Sequence, residues 1–195
     1  PRTIDFHCHT VCHAADELVR ATRAEAESAL GKHASAETQA IIRQNREALD
    51  DRLTGANARL ADMEKAGVDI QVVSPTPRQF FYSAESELGL QLSQMINEDV
   101  ASLVSCAPDR FVGLGTVPLQ EPRLAVQELR RAVRELGLKG VEIGTHVGDR
   151  ELDDPFLEPF YLEAEKLGAV LFMHPSGFSD GRRLSRFCLN NIIGN

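Results

Sequence analysis

The sequence predicts a parallel α/β fold, and within that class a (β/α)8 barrel rather than a doubly wound open sheet. Three observations carry this. Short apolar runs alternate five times with helix-period segments, and the last three runs begin roughly 30 to 40 residues apart, the length of one strand–helix repeat. The runs are apolar throughout, as strands covered on both faces by helices must be. The chemistry-bearing residues cluster just after the first and fifth runs, and no Gly-rich phosphate loop follows any run; both features favour a barrel.

The first run is Ile4-Asp5-Phe6-His7-Cys8-His9. Side chains alternate along a strand, so Asp5, His7 and His9 are expected on one face and Ile4, Phe6 and Cys8 on the other. Two imidazoles one residue apart at the end of a strand can grip one metal ion from the same side. Two helix-like stretches follow, at about residues 14–30 and 36–53, separated by Gly31-Lys32-His33. Both are rich in charge and read as a helical insertion at about residues 14–53 that delays the second strand to about residue 70.

A helix carrying Leu53, Ala56, Leu60 and Met63 on one stripe is expected to end at Gly67. The second strand is Ile70-Gln71-Val72-Val73-Ser74, closed by Pro75 and Pro77. A helix over about residues 86–106 should bury Leu88, Leu92, Met95, Ile96, Val100 and Leu103 before the strand Phe111-Val112-Gly113-Leu114-Gly115. Pro122 suits a first helical turn, with Ala125, Leu129, Ala132, Val133 and Leu136 as the apolar face and Gly137 as the stop. Gly140-Val141-Glu142-Ile143-Gly144 is the fourth strand. Asp154 and Pro155 cap a helix running to Gly168, and Ala169-Val170-Leu171-Phe172-Met173 is the fifth strand. It ends at His174, held extended by Pro175. Five strands fall short of eight, so residues 1–195 read as the N-terminal part of one longer barrel.

The chain of 195 residues is 43% hydrophobic with a net charge of −8, its acidic residues dispersed. A nucleic-acid surface, which needs a basic patch, is not expected. No apolar run reaches membrane-spanning length and the N-terminus does not read as a signal peptide. Cys8, Cys12, Cys106 and Cys188 are too few for a disulfide framework, which points to a reducing, cytoplasmic setting.

His174 joins His7 and His9 as a third candidate ligand on the rim of such a barrel. Three neutral imidazoles suit zinc or a similar divalent ion with a position left open for water, whose pKa would fall to roughly 7. Lys139 lies at the wrong end of the fourth strand to bridge two ions. Glu142 is a candidate second ligand or one half of a buried pair with an arginine, and one ion is favoured. His146, after the fourth strand, either contacts substrate or fixes its loop. Cys12 and His13 with Cys8 raise a structural zinc site, disfavoured because no second Cys/His half lies downstream. Arg43, Arg46 and Arg52 form either a solvated helix face or the source of a carboxylate clamp over the mouth.

Three stretches together resemble the 2-amino-3-carboxymuconate 6-semialdehyde decarboxylase branch of the amidohydrolase superfamily. They are residues 5–9; residues 110–118, Arg-Phe-Val-Gly-Leu-Gly-Thr-Val-Pro; and residues 140–147, continued by Leu171-Phe172-Met173-His174-Pro175. The resemblance runs from about residue 60 to the end, plus the first ten residues. It implies a barrel of the metal-dependent hydrolase kind, with one zinc or related ion on His7, His9 and His174. It also implies an aspartate ligand and an acid/base histidine beyond Asn195, and a homodimer acting on a small carboxylate. The family decarboxylase has tryptophans near its strand-five histidine, whereas this chain has no Trp and reads Pro175-Ser176-Gly177-Phe178. Ser176 and His146 are the substrate-binding candidates. The expected activity is metal-dependent decarboxylation of an unsaturated or aromatic acid. The alternatives are a hydrolase or hydratase on the same scaffold, or a folding or dimerisation module without activity.

Overall fold

The computed structural model describes residues 1–22, 35–175, 184–187 and 189. Strand β1 (Ile4–Thr10) opens the chain, followed by helices α1 (His13–Thr22), α2 (Ala36–Thr54) and α3 (Ala56–Ala66). Then come β2 (Ile70–Pro75), α4 (Ser86–Cys106), β3 (Phe111–Gly113), α5 (Pro122–Arg134) and β4 (Gly140–Gly144). A short hairpin of β5 (His146–Val147) and β6 (Arg150–Glu151) precedes α6 (Glu158–Leu167) and β7 (Val170–His174).

The long strands pair in parallel, β1 with β2 and β2 with β3, and β4 with β7. The two groups are stitched into one sheet just past β3. Lys139 N donates to Gly113 O at 2.8 Å, Gly115 N to Gly140 O at 2.9 Å, and Glu142 N to Gly115 O at 2.8 Å. The spatial order is therefore β1-β2-β3-β4-β7, as successive right-handed strand–helix–strand units require. Helix α4 turns Leu92, Ile96, Val100 and Leu103 inward, and α5 buries Ala125, Leu129 and Ala132. One cluster of buried side chains fills the space between β4, α5 and α6, with Leu129, Val141, Ile143, Phe160 and Ala164 at its centre. Each large apolar side chain buried there contributes about 1.5–3 kcal/mol.

A buried polar brace holds α4, α5 and the segment after β3 together. Glu128 accepts hydrogen bonds from Asn97 Nδ2 at 2.7 Å and from Arg131 Nε at 2.8 Å. The Asn97 amide also brackets Thr116, donating to its carbonyl at 2.9 Å and accepting from its N–H at 2.7 Å. Glu128 is fully buried, and this pairing is what makes its burial tolerable.

Three expectations are corrected. The stripe from Leu53 to Met63 is not one helix, because Gly55 adopts an extended conformation that ends α2 and starts α3. Strict alternation along β1 fails, because the register runs from Asp5 opposite Gln71 to Cys8 opposite Val73, so β1 carries an extra residue. Phe6 and His7 consequently both pack edge-on against Phe172, each with ring centroids 5.3 Å away. The hairpin β5–β6 was not anticipated; its turn at Gly148, φ +60°, lies in Val147-Gly148-Asp149-Arg150. The helix expected over residues 14–30 is seen as α1 as far as Thr22, and the rest of it lies outside the described residues.

Gly140 has φ +153°, and a Cβ there would overlap the backbone of Val170 on the neighbouring strand. Gly137 has φ +74° but open space around it. Gly140→Ala should therefore cost about 3 kcal/mol or more and Gly137→Ala only about 1–2 kcal/mol, read from denaturant midpoints. Equal costs at the two positions would contradict the close packing of β4 on β7.

Candidate metal centre

His7 and His9 lie in the second half of β1 and His174 is the last residue of β7. These strands are the two ends of a five-strand order. In a flat sheet with strands about 4.8 Å apart they would stand about 19 Å from one another. Instead the His174 ring centroid lies 4.9 Å from that of His7 and 5.0 Å from that of His9. The sheet is curled so strongly that its edges meet through inward-pointing imidazoles at the C-terminal strand ends.

The Nε2 atoms of His7 and His9 are 3.0 Å apart. Two nitrogens bound to one ion at roughly 2.1 Å, at angles between 90° and tetrahedral, lie about 3.0–3.4 Å apart, so this spacing fits a shared cation. Among the described residues, His7, His9 and His174 form the one group whose potential ligand atoms all lie within 4.8 Å of one another. His174 Nδ1 is 2.7 Å from the Pro175 carbonyl. A carbonyl only accepts, so the hydrogen sits on Nδ1 and the Nε2 lone pair is free. Burial, and then the neighbouring His174 and His7, push His9 down to about 4, and burial also lowers His174. His9 and His174 are thus held in the neutral form that ligation needs.

Glu142 on β4 points into the same interior and is fully buried. Its carboxylate lies 3.8 Å from His9 Nδ1. Burial pushes its pKa up to about 8, against the lowering effect of the nearby Ser74 hydroxyl. Among the described residues Glu142 has no arginine partner: its ionisable neighbour is His9, and Glu142 stands outside the three-histidine group.

Arg59 was not singled out in the sequence. It is buried, and its guanidinium donates to the carbonyls of His9 and Leu53, tying α3 and the end of α2 to the ligand-bearing end of β1. The available signal was a charged residue one position from Leu60 on the apolar side of α3.

The other candidates separate from the centre. Cys8 Sγ faces the Asp5 carbonyl, Cys12 Sγ faces the Met95 carbonyl, and His13 bonds Asp50 at 2.8 Å, so no structural zinc site is assembled from them. His146 opens the hairpin and sits 3.5 Å from the Thr145 hydroxyl, apart from the three histidines. Arg52 pairs with Asp62 and Arg43 is exposed, while Ser176, Cys188 and the Arg46 side chain lie outside the described residues.

A curled parallel sheet with its histidines gathered at the C-terminal strand ends is the architecture of a barrel enzyme whose site opens at that face. The chain belongs to the amidohydrolase family, which it matches over residues 4–191. It is 40% identical over 146 residues to the 2-amino-3-carboxymuconate-6-semialdehyde decarboxylase of Dictyostelium discoideum, covering 75% of this chain and 41% of that one. The crystal structure of 5-carboxyvanillate decarboxylase from Sphingomonas paucimobilis matches with a TM-score of 0.79 at 29% identity, over 97% of this chain and 57% of that one. The enzyme of that name from Novosphingobium aromaticivorans, complexed with manganese and 4-hydroxy-3-methoxy-5-nitrobenzoic acid, shares the fold with a TM-score of 0.75 at 23% identity, over 100% and 55% of the two chains. The chain spans between 41% and 57% of the length of these relatives. Its five parallel strands, β1, β2, β3, β4 and β7, are part of the (β/α)8 barrel.

Arg59→Ala removes the guanidinium donor from the His9 carbonyl, while Leu53 O keeps Thr10 Oγ1 and Val11 N, and it should cost about 1–3 kcal/mol, whereas the exposed Arg43→Ala should change stability by less than about 0.5 kcal/mol. Urea denaturation of the two variants checks this, and equal effects would contradict the clamp at His9.

Proposed function

We propose that the protein carrying this chain is a metal-dependent decarboxylase, a carbon–carbon lyase acting on an unsaturated or aromatic carboxylic acid, with one divalent ion held by His7, His9 and His174. The observation that carries the proposal is the convergence of three imidazoles from strands at opposite ends of the sheet order. The relatives described above are named decarboxylases of such acids, which favours loss of carbon dioxide over hydrolysis or hydration on the same scaffold. Zinc is the proposed ion, from the affinity of three nitrogen donors; manganese, which the Novosphingobium enzyme holds, is the competing outcome.

When bound, the ion supplies a Lewis acid beside the substrate's carboxylate and its neighbouring oxygens. The chain's own residues hold that site in shape. The Pro175 carbonyl fixes the His174 tautomer, and Phe172 packs edge-on against His7 and limits its rotation. Phe6 and Phe172 also give the site an apolar wall against which an unsaturated ring can lie. His146 and Ser176 are proposed substrate contacts, and a further carboxylate ligand and an acid/base histidine are proposed to follow residue 195. A homodimer in the cytoplasm is the proposed setting. Unpaired Cys8, Cys12 and Cys106 accord with a reducing compartment, and among the described residues no helix is long and apolar enough to cross a membrane.

Metal analysis of the full-length protein together with carbon dioxide release from carboxylated aromatic and muconate-type acids tests the reading. One zinc per chain and stoichiometric carbon dioxide are expected, and ring opening without carbon dioxide would favour the hydrolytic alternative. His7→Ala and His174→Ala should each strip the ion and reduce turnover to background with little change in circular dichroism. Full metal and activity in either variant would contradict the ligand assignment.

A further inference from the structure

We propose that Glu142 is the positioning residue of this centre, accepting one hydrogen bond from His9 Nδ1 and one from the Ser74 hydroxyl, and so aiming His9 Nε2 at the ion. The inference rests on the ligand role proposed above for His9. It starts from a pattern of missing partners. Among the described residues, seven buried side-chain polar atoms have no hydrogen bond: His9 Nδ1, Ser74 Oγ, both carboxylate oxygens of Glu142, Arg59 Nε, Thr116 Oγ1 and Gln120 Oε1. Four of these belong to the three residues named in the proposal. Buried polar groups are normally partnered, so a local group of orphans needs an explanation.

One arrangement satisfies all three residues. His9 and Ser74 are register partners on β1 and β2, and Glu142 reaches the same interior from β4. The gap from His9 Nδ1 to the carboxylate is 3.8 Å. Closing it to an ordinary N–H···O distance takes a side-chain movement of less than about 1 Å. A bridging water does not suit the gap, because two hydrogen bonds through one water span roughly 4.5 Å or more.

The geometry separates positioning from ligation. Glu142 approaches His9 at Nδ1, whereas Nε2 is the nitrogen that faces His7. Among the described residues one other glutamate, Glu128, is fully buried and supplies the contrast. Glu128 is saturated by Asn97 and Arg131 and serves the packing of α4 on α5. Among the described residues Glu142 has no such arginine partner, and the ionisable group that approaches it at 3.8 Å is His9, a candidate ligand. His174 already has the equivalent partner in the Pro175 carbonyl; Glu142 supplies the same service to His9. Such outer partners fix the tautomer and orientation of a ligating histidine and typically change metal affinity 10–100-fold.

The test uses the full-length protein. Chelator competition with zinc should show Glu142→Ala binding about 10–100-fold more weakly than the parent, still at one ion per chain. Glu142→Gln, which keeps an acceptor oxygen, should recover most of that loss, and Ser74→Ala should lose less than Glu142→Ala. In the zinc-loaded parent, nitrogen-15 NMR should show a slowly exchanging, downfield Nδ1 proton on His9 that the Glu142→Ala spectrum lacks. Unchanged zinc affinity in Glu142→Ala, measured beside a His174→Ala that has lost its ion, would overturn the positioning role and leave the ligand reading standing. A His174→Ala that keeps its ion would overturn the ligand reading itself. Complete loss of the ion in a folded Glu142→Ala would make Glu142 a ligand and overturn the proposal. If Glu142→Ala does not fold, the parent spectrum and Glu142→Gln decide, and a fast-exchanging His9 Nδ1 proton in the parent overturns it.

Discussion

The structure depends on the curl of one parallel sheet. Strands β1 and β7 sit at opposite ends of its order, yet their histidine rings lie about one ring diameter apart, with centroids separated by 4.9 and 5.0 Å. Curling of this degree is not intrinsic to parallel pairing, which on its own gives a gentle twist. Helices α4 and α5 pack on the strands, and glycines make room where a neighbouring backbone or helix approaches closely. Gly140 lets β4 lie against the Val170 backbone, and Gly115 leaves room for the Asn97 amide. Asn97 then anchors Thr116, and Glu128, itself held by Arg131, anchors Asn97, so the buried brace ties α4 and α5 to the segment where the two halves of the sheet meet.

The same curl decides the electrostatics of the centre. Gathering the imidazoles at one point raises the energy of a proton added to His9 or to His174, by desolvation first and by the neighbouring rings after it. His9 and His174 are therefore pre-set as neutral donors. Fixing their direction is a separate problem, and the neighbouring elements address it locally. Pro175 holds one ring by its carbonyl, Phe172 packs against another, and Arg59 pins the backbone at His9 from the α3 side. The region of densest function is accordingly also the region of densest unsatisfied or shared polar contacts.

Much of this was legible in the sequence. The five parallel strands, and helices α4 and α5, follow from apolar runs and 3.6-residue periodicity, with the start of α5 marked by Pro122 and the ends of α3 and α6 by Gly67 and Gly168. His7, His9 and His174 were legible because strand ends in a barrel converge, so residues far apart in the chain share a rim. Other features depend on neighbours that no local pattern encodes. The extra residue in β1 is set by its register on β2, and the break at Gly55 by the way α2 turns back toward β1. The inward placement of Glu142 followed from strand parity, but its partner did not, since an arginine and a histidine are equally compatible with the sequence. Arg59 was missed because a charge on an otherwise apolar helix side reads as solvated until the carbonyls it serves are known.

The most direct measurement of the central claim is an anomalous difference map at the zinc edge from crystals of the full-length protein. The account predicts a single peak about 2.0–2.1 Å from one ring nitrogen each of His7, His9 and His174. A peak that contacts the β1 histidines but leaves His174 beyond coordinating distance, or one held elsewhere in the fold, would contradict it.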